Sequence, residues 1–136
     1  AFAQGNMGKA IMLATSEYFN EIKEDAVHLL RNIDSMSVSD LMEAVKHCMT
    51  YKLEIGDYLD VIAIWYRDVL IYKATKNVDR VVFSDQLRYI RERASKSSYE
   101  GIENILDGLD KAKSRIKANV NLELAMELLL LTIKEN

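Results

Sequence analysis

The residues of this chain best suited to chemistry are its two histidines, its single cysteine and one Gly-Lys pair. His47 and Cys48 are neighbours, so on a helix their side chains diverge by about 100° and cannot form a nucleophile and base pair by themselves. Asp25 and His28 share a helical face at i,i+3, and Glu43 and His47 do so at i,i+4. A di-iron bundle needs two Glu-x-x-His sets plus two further inward glutamates, and the sequence supplies neither set. Surface or capping histidines are the simpler reading, and Cys48, on the apolar stripe of its segment, reads as a small buried hydrophobe. Gly8-Lys9 has the ending of a phosphate-binding loop. That loop needs a glycine where the chain has Ala3 and a serine or threonine where it has Ala10, so the motif fails at both ends. The sequence therefore predicts no catalytic residue, no cofactor and no metal site.

Positive charge concentrates in two places, Arg88, Arg91, Arg93 and Lys96, and then Lys111, Lys113, Arg115 and Lys117. Acids such as Glu92, Asp107 and Asp110 interrupt or flank both, as on a solvated helix face. The first group is retained as a set of weak phosphate contacts. The chain as a whole carries 18 Lys and Arg against 21 Asp and Glu, a formal net charge of −3, which gives no bulk basic field for polyanions. Trp65 and Tyr66 sit in a strongly apolar segment and read as core rather than as a base-stacking platform. Glu54, Asp57 and Asp60 lie at the start of that segment, where they complement a helix dipole.

The elements that must position these residues are helices. The 136 residues are 49% apolar and contain no proline and five glycines, so the usual punctuation of hairpins and sandwich turns is missing. That composition alone does not exclude a parallel α/β fold, but the apolar spacing points to an all-α bundle of about six helices. The first runs from Ser16, its N-cap, to about Ile33, with Tyr18, Phe19, Ile22, Ala26, Leu29 and Leu30 on one face. Ser37 and Asp40 open the second with a capping-box-like start. A third, from about Ile55 to Ala74, is apolar over more than half its circumference and is expected to be central. A polar connector over 75–80 follows, then a fourth helix starting at Ser84-Asp85, a fifth capped by Ser97 or Ser98 with Tyr99 and Ile102 on its inner face, and a sixth capped by Asn121 and ending near Lys134. The longest apolar stretch, Leu128 to Leu131, is far short of the ~20 residues a membrane span requires. One cysteine excludes an internal disulfide and agrees with a cytoplasmic protein.

The sixth helix is apolar nearly all round, interrupted by Glu123, Glu127 and Thr132. A helix of this kind is buried on several sides, within its own domain or against a partner.

Three segments resemble the C-terminal part of subunits of the bacterial DNA polymerase III clamp loader, an AAA+ family, and among them the delta prime type. Gly5-Asn6-Met7-Gly8-Lys9-Ala10-Ile11 is similar to the end of the family's lid domain, where the pattern is Gly-Ser-x-Arg-x-Ala-Leu. Trp65 to Lys73, followed by Asn77-Val78-Asp79, is the second segment, and Asn119 to Leu130 looks like the family's closing helix. In the ATP-hydrolysing subunits the arginine of the first pattern is a sensor of nucleotide phosphate, and Gly8 stands in its place here. A hydrogen cannot replace a guanidinium fork, so the departure favours a non-hydrolysing stator of the delta prime type over gamma or tau.

The resemblance implies a helical collar domain over 16–136, preceded over 1–15 by the end of a lid domain, and hence a piece of a longer protein. It implies assembly with other clamp-loader subunits, delta and gamma or tau, contact with DNA only through the complex, and no membrane. Leu124, Glu127, Leu128 and Leu131 of the last helix are the expected subunit interface. The competing reading is a freestanding helical nucleic-acid-binding module using Arg88, Arg91, Arg93 and Lys96.

Overall fold

The computed structural model describes residues 17–136, so the expected cap Ser16, the Gly8-Lys9 pair and the proposed lid segment 1–15 lie outside the described residues. Within them the chain forms α1 (Glu17–Asn32), α2 (Val38–Cys48), α3 (Ile55–Thr75), α4 (Leu87–Lys96), α5 (Tyr99–Lys117) and α6 (Leu122–Glu135), with short 3-10 turns in the first three connections. No strand occurs among the described residues, and the all-α class and near-six helix count agree with the sequence. None of these helices is long and apolar enough to cross a membrane.

α3 is the centre. Tyr58, Leu59, Ile62, Trp65, Tyr66 and Val69 are all buried, and neighbours pack on several sides of the helix: α1, α4 and α5. α6 forms the other seam, lying against α5 and α2. Its approach to α5 is close, since a Cβ built on Gly108 would meet Thr132 Cγ2 at 3.2 Å.

Local chemistry fixes most boundaries. The Ser37 hydroxyl accepts the Asp40 N–H while the Asp40 carboxylate accepts the Ser37 N–H, both at 3.1 Å, a complete capping box. Of the two candidate caps, Ser98 starts α5 by accepting the Gly101 N–H at 2.9 Å, whereas Ser97 is buried in the extended link before it. Asn121 starts α6 by accepting the Leu124 N–H. α5 ends with Asn119 at φ 60°, a left-handed conformation that asparagine tolerates well.

Two expectations need correction. Tyr99 is 49% exposed rather than on the inner face of α5, because it is the first residue of that helix and its ring lies beside the Lys73 ammonium near the end of α3. The fourth α-helix begins at Leu87, after a 3-10 turn over Ser84–Gln86, rather than at Ser84-Asp85. The Asp85 carboxylate, the natural capping group there, is turned onto the Lys23 ammonium of α1 at 2.9 and 3.0 Å.

The connector between α3 and α4 is held from below by Asp68. This fully buried carboxylate accepts the Val82 N–H at 2.9 Å and the Phe83 N–H at 2.8 Å, with Arg67 at 4.0 Å. Burial pushes its carboxyl above the usual range, against the two backbone donors and the arginine. Asp68→Ala is expected to leave both N–H groups without their acceptor and to lower unfolding free energy in urea by roughly 3 kcal/mol. Asp68→Asn, which keeps one acceptor oxygen, is expected to cost less.

Desolvation raises the Asp85 carboxyl, but the hydrogen bonds from Lys23 and Gln86 and the ammonium charge together outweigh it and hold the group below the usual carboxylate range. A carboxyl depressed by folding stabilises above its unfolded pKa and loses that contribution as pH falls through the folded value. Asp85→Asn is therefore expected to cost roughly 1 kcal/mol near neutrality, a modest figure for a pair whose carboxylate is half-exposed. The difference in melting temperature from the parent should stay level above about pH 5 and close as pH falls below about 4.

Candidate functional site

The last helix divides its apolar surface. Ala125, Met126, Leu129, Leu130 and Ile133 are buried against the rest of the bundle, and the Lys134 ammonium ties the far end to the Ile33 and Asp34 carbonyls. On the opposite side Leu124 is 46% and Leu128 38% exposed, one turn apart, with Val120 at 41% just before the N-cap. Of the four residues expected at an interface, Leu124 and Leu128 lie outward. Glu127 is half-buried, and Leu131 is half-buried and packed against the core. Leu128 also borders a groove between α5 and α6 whose walls include Asp107, Lys111, Arg115 and Thr132.

The basic residues of α4 do not form one cluster. Arg93 turns inward and pairs with Asp34 at 2.9 Å, its side chain 11% exposed, in a cleft that Arg31, Trp65 and Tyr89 also line. Lys96 pairs with Glu92 at 3.1 Å along its own helix. Arg88 and Arg91 leave on another side and lie over aromatic rings, each 5.7 Å from the centroid, Arg88 on Tyr89 and Arg91 on Tyr72. Other helices add cations to the same rings: Arg31 stands 3.8 Å over Tyr89 and donates to its hydroxyl at 2.7 Å, and Lys76 lies 5.1 Å over Tyr72. Lys73 is 5.0 Å over Tyr99 and donates to the Ala94 carbonyl. Arg31, Lys73 and Lys76 are the members that the charge runs did not reveal. Tyrosine beside cations, in Tyr72-Lys73 with Lys76 and again in Arg88-Tyr89 with Arg91, was the signal available for Lys73 and Lys76, and Arg31 carried none.

The histidines find other partners than those their spacing suggested. Glu43 is beside Lys46, and His47 Nε2 is 3.0 Å from the carboxylate of Asp25, on α1. The Tyr51 hydroxyl donates to the same carboxylate. That bond, then burial and the charges nearby, push the phenol up to about 12. His28 contacts Asn32, one turn away. Cys48 is buried beside Tyr58; burial pushes its thiol up to about 11, in spite of the tyrosine hydrogen bond. A thiol so protonated and covered is the opposite of an activated nucleophile. Among the described residues no group of three or more His, Cys, Asp and Glu could hold a metal ion.

The surfaces available are thus an apolar row, a set of cations on tyrosine rings and a His47–Asp25 contact between α2 and α1. A family model for the DNA polymerase III, delta subunit, C terminal, matches residues 21–135. The chain belongs to this family. Over 77 residues it is 32% identical to DNA polymerase III subunit delta' of Bacillus subtilis (strain 168), a match that covers 57% of this chain and 23% of the relative. The chain therefore matches less than a quarter of that relative's length. No solved structure matches it. Both likenesses agree with the delta prime C-terminal resemblance seen in the sequence.

Burial of the thiol in this DNA polymerase III delta C-terminal fold has a direct readout. At pH 8, Cys48 is expected to react with an aromatic disulfide reagent at least about 100-fold more slowly in the native chain than in denaturant. Equal rates would contradict the packing around Tyr58.

Proposed function

We propose that this domain is the oligomerisation, or collar, domain of a clamp-loader delta prime subunit. In this reading it joins the C-terminal domains of delta and of gamma or tau in a ring, in the cytoplasm, and meets DNA through the complex that loads the sliding clamp. The parent subunit serves as a non-hydrolysing stator and this domain catalyses nothing.

The observation that carries the reading is the row Val120, Leu124 and Leu128, left outward on a helix whose other side is core. Large apolar side chains aligned on one face lose water on association, at about 25 cal/mol per Å² of apolar surface removed. A stable interface covers ~1,600 Å² in total, more than three side chains supply. The adjoining α5–α6 groove gives the remainder a polar rim, with Asp107, Lys111 and Arg115 placed for hydrogen bonds and ion pairs around the apolar centre. The inner residues of α6 hold that rim in place, so the helix serves both the core and the partner.

Size-exclusion chromatography of the chain with the other clamp-loader subunits of its source tests this. The parent chain is expected to co-elute with them. Leu124→Glu combined with Leu128→Glu is expected to weaken association at least about tenfold, the effect of ~1.4 kcal/mol, while leaving circular dichroism and melting nearly unchanged. Failure of the parent to co-elute, or co-elution of the double variant at parental affinity, would overturn the proposal.

A further inference from the structure

We propose that the face built by Arg31, Lys73, Lys76, Arg88 and Arg91 around Tyr72, Tyr89 and Tyr99 binds the phosphodiester backbone of nucleic acid directly, single-stranded in preference. This inference is independent of the assembly role, since none of these residues belongs to the α6 row.

Each of the five cations lies within 6 Å of a tyrosine ring centroid. Among the described residues none of the five is in an ion pair with a carboxylate. The rings therefore position the charges without neutralising them, and N–H donors remain for an incoming anion. Of the acids close to them in sequence, Glu92 pairs with Lys96 and Asp34 with Arg93, while Asp79 and Glu100 are exposed. Five cations against these few acids leave a locally positive surface on a chain whose net charge is −3. Arg31 and Arg88 share the Tyr89 ring and Lys76 and Arg91 the Tyr72 ring, and Arg88 and Arg91 stand at i,i+3 on α4, so these two sets adjoin across α1, α3 and α4, with the Lys73–Tyr99 pair between α3 and α5 beside them.

The planar groups favour a single strand. Tyr99 is half-exposed, and guanidinium planes and tyrosine rings alike offer stacking surfaces to unpaired bases, which a duplex does not present. The set differs from the one the sequence suggested. Arg93 and Lys96 leave it because carboxylates hold them, and Arg31, Lys73 and Lys76 enter it.

The test is fluorescence anisotropy of the 136-residue chain with a labelled 20-nucleotide single strand, the matching duplex, and a polyglutamate of similar length as competitor. With five phosphate contacts on a single strand, affinity is expected to fall about 100-fold between 50 and 200 mM salt, and about 20-fold for Arg88→Glu combined with Arg91→Glu. The double variant, folded by circular dichroism, should also bind more weakly at 50 mM salt, and Lys76→Glu should weaken binding by itself. Leu124→Glu should bind like the parent. No binding at 20 mM salt, variants that bind like the parent, tighter binding of duplex, or equal competition by polyglutamate would overturn the proposal.

Discussion

Everything else in this domain is arranged around the burial of α3. A helix with Tyr58, Leu59, Ile62, Trp65, Tyr66 and Val69 withdrawn from water, and its remaining positions mostly apolar, cannot lie on a surface. It needs neighbours on several sides, and α1, α4 and α5 supply them. The same requirement explains Asp68. The chain leaving α3 must turn back over its own helix, which buries the backbone N–H groups of Val82 and Phe83, and a carboxylate on α3 is the acceptor that satisfies both.

With α3 enclosed, α6 is left to close the bundle from the far side. It contacts α5 and α2, draws close to α5 where Gly108 offers no side chain, and buries one flank completely. Its leucines outnumber the core positions available to them, and the surplus falls on Leu124 and Leu128. A surface helix selected only for solubility would carry polar residues there. The proposed collar role gives those side chains a place to be buried and asks nothing of the core that the fold does not already require.

The parts of this structure written in local sequence were legible. The Ser37-Asp40 box, the Asn121 cap and the apolar spacing of α1, α3 and α5 depend on residues three or four apart, so reading along the chain reaches them. Interactions between helices were not. Asp25 meets His47 and Tyr51 across 22 and 26 residues, and Lys23 takes Asp85 across 62, which moved the start of α4 by removing its capping carboxylate. The charge run on α4 misled for the same reason: residues a few positions apart point to different neighbours on a helix, so Arg93 meets the Asp34 carboxylate while Arg88 lies over the Tyr89 ring. The resemblance to clamp-loader C-terminal domains reached the family that the comparisons identify, and of its segments Trp65 to Lys73 falls on α3 and Asn119 to Leu130 covers the cap and most of α6.

In the proposed collar role, α6 divides its apolar surface between the core and a partner subunit. Hydroxyl-radical footprinting of the chain alone and within the assembled clamp loader examines it side chain by side chain. The account predicts that Leu124 and Leu128 are oxidised in the chain alone and shielded in the assembly, while Leu129 and Leu130 stay unmodified in both. Equal oxidation of Leu124 and Leu128 in the two states would contradict it.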